Sequence, residues 1–287
     1  FGNSSNASGR IEVANARVMG TVPQGTELWV RGSQQNSSVR MESEGAATNN
    51  GLIRLESTDG PFDSNAGGNW INGQTGRIVF NAGSGGGRVW NSRVQNHGLM
   101  DFNVHATVGV LGQENVNFAT GVFDLGAANV TSIGNRFVNR GLVKGTGRLV
   151  QVEGASFVNE GVVAPGTSPG VMAITRTFAQ AQSGVLQIEL GGRTVGQYDR
   201  LSVEGRAELG GTLQVTFFGG FTATAGDRFR VLVAGERVGQ FAVVPNSNQW
   251  RVIYGNTFVD IEAVPEPATM VALALGAAAL VRRRRTR

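Results

Sequence analysis

The sequence contains no cysteine and only two histidines, His97 and His105, in 287 residues. Without cysteine there is no disulfide framework and no thiolate metal site, so stability rests on burial and backbone pairing. Lysine is almost missing too, with Lys144 as the single example, and Gly, Asn and Ser take its place as polar residues. Prolines number 7 against 43 glycines. That balance suits many short strands separated by glycine turns and disfavours helices. No helical periodicity is visible before Ala268. Signatures of catalysis are equally scarce. A triad would need one of the two histidines beside a nucleophile and a carboxylate. His97 reads as a turn residue and His105 as a strand residue. No Gly-x-Ser-x-Gly elbow, His-Glu-x-x-His helix or phosphate loop occurs, and no cofactor is implied.

Charge separates the chain into a body and a tail. There are 25 Lys+Arg and 21 Asp+Glu, but five of the arginines lie at or after Arg282, leaving 20 against 21. The body is therefore near neutral. A nucleic-acid partner would require a basic stripe on the folded part, and none is present.

The tail itself has an unusual order: Pro265-Glu266-Pro267, an uncharged run from Ala268 to Val281, then Arg282, Arg283, Arg284 and Arg285. Pro267 suits a helix start, because its φ is preset and it lacks an N–H that the first turn would leave unpaired. The run is rich in good helix formers. Its fourteen residues make a rod of roughly 21 Å at about 1.5 Å per residue. A hydrocarbon core is about 30 Å thick, so residues 268–281 form a short transmembrane helix that leans on snorkelling arginines and bilayer thinning. The arginines stay on the cytoplasmic side, which puts the body across the membrane. This tail resembles the PEP-CTERM sorting signal of Gram-negative bacteria. The resemblance implies export, a transient stage in the inner membrane, and processing by an exosortase that recognises Pro265, Glu266 and Pro267. It also implies association with exopolysaccharide and biofilm matrix. Export needs a signal peptide, and Phe1 is preceded by none, so the chain is expected to continue upstream.

A repeat organises the body. Phe137-Val-Asn-Arg-Gly-Leu-Val recurs as Phe157-Val-Asn-Glu-Gly-Val-Val, with Val94-Gln-Asn-His-Gly-Leu-Met as an earlier copy and Asn117-Phe-Ala-Thr-Gly-Val-Phe between them. Gly98, Gly121, Gly141 and Gly161 align; Gly51 and Gly76 extend the series upstream, Gly184 and Gly211 downstream. Each unit is a glycine turn followed by alternating apolar residues, the pattern of a half-buried strand. A period near 20–25 residues without a helix predicts a parallel β-solenoid, in which neighbouring coils stack about 4.8 Å apart and supply each other's core. Asn96, Asn139 and Asn159 share one register position and are expected to stack as a ladder that satisfies turn backbone groups. Phe137 and Phe157 are expected to stack inside. A leucine-rich repeat has a similar period, but its leucine pattern is missing.

From about Val162 the phrases Val163-Ala-Pro-Gly-Thr-Ser-Pro-Gly, Gln197-Tyr-Asp-Arg-Leu-Ser-Val and Gly210-Gly-Thr-Leu-Gln-Val resemble the late passenger region of autotransporter-type proteins. That resemblance implies a right-handed parallel β-helix closed by less regular strands, with Trp250-Arg-Val-Ile-Tyr and Phe258-Val-Asp-Ile-Glu among them. The expected organisation is β-helix repeats over 1–204, a C-terminal β cap over 205–263, and the sorting signal over 264–287.

Two clusters are candidates for chemistry. Asp63, Asn65 and Gly67, within Asp59–Asn69, echo the opening of a calcium loop but lack its closing glutamate; the segment reads as a solvated loop leaving the solenoid. Asp101 and Asp124 each follow a repeat glycine at the same distance, so they would stack on neighbouring coils, facing outward. Paired carboxylates of that kind are what polysaccharide cleavage uses. The reading that accounts for the scarcity of catalytic groups is an exported, non-enzymatic structural or adhesive protein; the alternative is a β-helix polysaccharide lyase or glycoside hydrolase.

Overall fold

In the strand Val185–Leu190 the alternating sequence becomes alternating burial: Leu186, Ile188 and Leu190 are fully buried while Val185, Gln187 and Glu189 face outward. The same alternation repeats in Leu52–Ser57, Leu142–Gly145 and Val162–Pro165. Such a strand has one apolar face and cannot be stable alone; stacking of successive coils covers it. The computed structural model describes residues 9–245 and 247–264. Across them the chain winds as a parallel β-solenoid of about eight turns, with no helix among the described residues.

Each full coil has three faces. The first face is a ladder from Gly9–Val13 through Thr26–Gly32 and Leu52–Ser57 to Thr212–Phe217, all pairs parallel. The eight repeat glycines read from the sequence all fall immediately before a first-face strand or at its first paired position. The second face holds strands such as Arg88–Asn91, Asn129–Ser132 and Arg148–Gln151. The third holds Glu114–Asn117, Arg136–Asn139, Ser156–Asn159 and Thr177–Gln180. Near both ends the second and third faces merge into long strands, Ser38–Asn49 and Arg200–Leu209, whose register shifts mark the corner.

Three internal columns hold the coils in register. The first is an amide ladder of Asn49, Asn72, Asn96, Asn117, Asn139, Asn159 and Gln180 at the end of the third face. Each Asn Nδ2 donates to the side-chain oxygen of the next member, at 2.7–2.9 Å from Asn49 through Asn139. Its second proton goes to a backbone carbonyl opening a first-face strand, as from Asn117 to Leu142 O and from Asn139 to Val162 O. Buried amides are costly unless both protons are used, and here they are. The expected trio Asn96, Asn139 and Asn159 is thus part of a longer ladder.

The second column is glycine. A Cβ at Gly141 would lie 2.2 Å from Gly121 O, and one at Gly98 would lie 2.2 Å from Gly76 O. The repeat glycines are required by the approach of one coil's backbone to the next, not by a left-handed φ. Gly211 is the only repeat glycine at positive φ, 58°.

The third column is aromatic. Phe80, Phe102, Phe123, Phe137, Phe157 and Phe178 follow one another with ring centroids 4.5, 4.7, 4.9, 5.5 and 5.6 Å apart. All six are fully buried, and each such ring contributes several kcal/mol, about 3–5 when removed. The column starts on first-face strands and crosses to the third face between Phe123 and Phe137.

Parallel pairing continues through Arg228–Gly239. Beyond it, Phe258–Ala263 runs antiparallel to Arg228–Gly239, and Trp250–Tyr254 runs antiparallel to Phe258–Ala263. Asp260, buried under this hairpin, accepts from both Arg228 and Arg230. Both late strands expected from the sequence are found here.

Candidate functional site

Asp101 and Asp124 are direct partners on adjacent first-face strands, and both are half-buried on the outward side. The next rung is Lys144, which pairs with Asp124 in the ladder and places Nζ 3.0 Å from its Oδ2. Asp124 Oδ1 accepts the Gly126 N–H at 3.0 Å. Burial, then the neighbouring Asp124 carboxylate, push the Asp101 carboxyl above its ordinary range. A carboxyl raised by burial beside a second carboxylate is one form that an acid–base pair takes. In this pair, however, both oxygens of Asp124 are already committed.

Lys144 also borders a shallow cleft of about 220 Å³, where Gly166 and Ser168 face Glu189 and Asp199. The Pro165–Gly170 turn forms one wall, and Gly166 and Ser168 both have positive φ, 101° and 110°. Asp199 holds that turn to the neighbouring strand: its carboxylate accepts the Gly170 N–H at 2.7 Å and the Glu189 N–H at 2.8 Å. Burial pushes its carboxyl up to about 7, against the two backbone donors that favour the ionised form. The cleft thus collects Lys144, Glu189 and Asp199 around one corner, with Asp124 tied in through Lys144.

The segment Asp59–Asn69 differs from the expected loop. Residues from Asp63 onward belong to the strand Asp63–Asn72, paired with Ser38–Asn49 and Arg88–Asn91. In an extended strand, alternate residues lie roughly 7 Å apart on one face, so Asp63, Asn65 and Gly67 cannot converge on a cation as a calcium loop does. Asp63 instead accepts the Gly87 N–H at 2.8 Å, and Asp59 accepts the Gln34 N–H at 2.9 Å. Among the described residues no group of three or more His, Asp or Glu side chains is arranged to hold a metal. His97 lies in a turn, as expected, stacked on Phe118. His105 precedes the strand Ala106–Val108 rather than lying in it, and its Nδ1 accepts the Asn129 N–H at 2.8 Å.

Arg88 carries a role that the repeat does not reveal. It is fully buried, and its guanidinium donates to five carbonyls: Phe62, Asn81, Ala82, Gly85 and Gly87. Desolvation lowers its pKa. The five acceptors all belong to the glycine-rich turn and the segment beside it, so Arg88 is the internal scaffold of Asn81–Gly87. Its only signal in the sequence is its place at the end of Ser84-Gly-Gly-Gly-Arg88.

Pro265, Glu266, Pro267, the run 268–281 and Arg282, Arg283, Arg284 and Arg285 lie outside the described residues. The last described residue, Val264, donates its N–H to Gln249 O at 2.9 Å, which fixes where the tail departs. Residues 263–285 match the PEP-CTERM protein-sorting motif. That motif is the recognition signal for exosortase and indicates an exported protein sorted to the cell surface. No protein of curated function matches the chain.

Proposed function

We propose that this protein is a non-enzymatic structural or adhesive rod of the cell surface or exopolysaccharide matrix of a Gram-negative bacterium. Exosortase is its processing partner, and the apolar run 268–281 holds it in the inner membrane until then. The observation that carries the reading is the joining of a sorting motif at 263–285 to a body whose buried polar groups run in continuous ladders. Asparagines, glycines and phenylalanines are committed to stacking coil on coil, and Asp124 and Asp199 are engaged by backbone donors or a neighbouring cation. We take the winding as right-handed, following the strong preference of parallel crossovers, and the body as akin to autotransporter passengers.

The test is fractionation of cells expressing the full chain and a form ending at Ala263. The full chain should reach the cell surface, while the shortened form should be lost to the periplasm or medium. Identical distributions would refute the sorting half of the proposal. For the other half, the full chain is screened against acidic and neutral polysaccharides. Reproducible product release, lost in Asp101→Asn or Asp124→Asn, would replace the structural reading with an enzymatic one.

A further inference from the structure

The end of the solenoid from which the tail leaves is closed unevenly. The hairpin Trp250–Tyr254/Phe258–Ala263 covers the second face. The first face ends at Thr212–Phe217, the last strand of its ladder. Among the described residues only Val243 bridges to that strand from above, receiving the Leu213 N–H at 3.0 Å. Apolar side chains that a further coil would cover remain in solvent: Phe217 is 46 % exposed, Phe218 41 % and Val243 53 %. Phe217 is contiguous with the cap, packing 5.9 Å from Trp250 and 6.2 Å from Phe221, and Val243 lies over Thr212 at the other end of the same strand. The patch is neutral at its centre. Its edge carries Arg193, which lies over the Phe221 ring and is paired with Asp227.

The patch is also tied to the tail. Trp250 pairs directly with Ala263, so the described chain ends beside these rings. From Val264 to Ala268 there are four residue steps, which span at most about 14 Å when fully extended. An apolar run inserted from Ala268 onward would therefore hold this end of the body against the membrane surface. Aromatic side chains are the residues that favour the headgroup region. The opposite end of the rod is many coils away and cannot reach.

We infer that, before the tail is processed, the Phe217–Phe218–Val243 end face rests in the lipid interface and stands the rod upright on the membrane. The occupant of the patch is lipid, and the inference rests on the sorting reading. It adds a second contact to the tail and leaves the sides of the rod free.

The full chain is reconstituted in phosphatidylethanolamine–phosphatidylglycerol vesicles containing a brominated-acyl lipid, with tryptophan reporters at two places. Phe218→Trp reports on the patch; Met19→Trp reports on the far end, where Met19 is 58 % exposed. Phe217→Trp serves as a second patch reporter should position 218 not accept an indole. The expected result is co-flotation of all variants, with about twofold quenching of the added emission in the patch variants and none in Met19→Trp. Co-flotation with equal quenching at both ends, or with none, overturns the inference while sparing the sorting reading. Failure of the chain to float overturns both.

Discussion

Asp199 shows how one buried carboxyl ties a turn to the solenoid and makes stability depend on pH. Its folded-state pKa is about 7, against about 3.9 in an unfolded chain. Below about pH 4 both states hold the proton and there is no difference between them. As pH rises from about 4 to 7 the unfolded state releases its proton and the folded state does not, so stability falls; above about 7 the loss is complete. Asp101, also pushed upward by burial and by Asp124, acts in the same direction. Asp227, held down to about 2 by Arg193, acts only at lower pH and leaves this window undisturbed. Urea midpoints measured at pH 5 and pH 8 should fall with pH in the parent chain and fall less in Asp199→Asn. That variant should also be weaker at pH 5 by about 1–3 kcal/mol, because one backbone donor then meets an amide NH₂. An unchanged slope in Asp199→Asn would show that the pH dependence originates elsewhere.

At the scale of the element, the repeated glycine is a contact requirement. The Gly141→Ala methyl would lie 2.2 Å from Gly121 O and 2.4 Å from Phe118 O, both backbone atoms of the coil beneath. Relief requires two coils to separate, which places the cost toward the upper end of the about 1–3 kcal/mol typical of overpacked cores. Gly154 offers the contrast, since it sits at φ +76° and the methyl of an alanine there would meet nothing within 4 Å. That substitution costs only the left-handed backbone, about 1 kcal/mol. Thermal midpoints should therefore rank parent, Gly154→Ala, Gly141→Ala, and the reverse order of the two variants would contradict the close-approach argument.

The same column explains what the sequence can reveal. Asn96, Asn139 and Asn159 stand two residues before their glycines, so the ladder is visible at those coils. Asn72, Asn117 and Gln180 stand four residues before theirs; two extra turn residues hide them, although the side chains meet the same partners. Asp101 and Asp124 are legible as a pair because both follow the glycine at one offset. Asp199 and Glu189 are not, because the cleft joins a repeat strand to the irregular Pro165–Gly170 turn. Asp63–Asn69 reads like a loop because its outward residues, Asp63, Asn65, Gly68 and Asn69, are polar or glycine. The inward residues of the strand, Ser64, Ala66 and Trp70, give it no regular apolar alternation.

For the whole molecule, the ladders imply that a coil is an exchangeable unit. Asn139 and Asn159 are 20 residues apart and occupy successive rungs, and Phe137 pairs with Phe157 in the same ladder. Deleting residues 140–159 joins Asn139 directly to Glu160. Gly161 then takes the position of Gly141 above Gly121, Val162 replaces Leu142 against Val122, and Ala173 and Ile174 replace Arg148 and Leu149 against Asn129 and Val130. What disappears is one coil's core together with surface ion pairs such as Lys144–Asp124 and Arg148–Glu204, each worth about 0–1 kcal/mol. Because each coil packs its core against its immediate neighbours, the shortened chain should fold with its remaining interfaces intact. It should keep its strand circular dichroism and melt within a few degrees of the parent. Small-angle scattering should show a rod shorter by about 4.8 Å, the spacing of one rung. Deleting only residues 140–149 removes half a coil. The strands that follow would then meet the wrong face, carrying the asparagines and phenylalanines out of their columns, and the chain should aggregate. Equal behaviour of the two deletions would mean that the coil is not the unit of stability, and that local strand propensity, rather than the stacked columns, holds the body together.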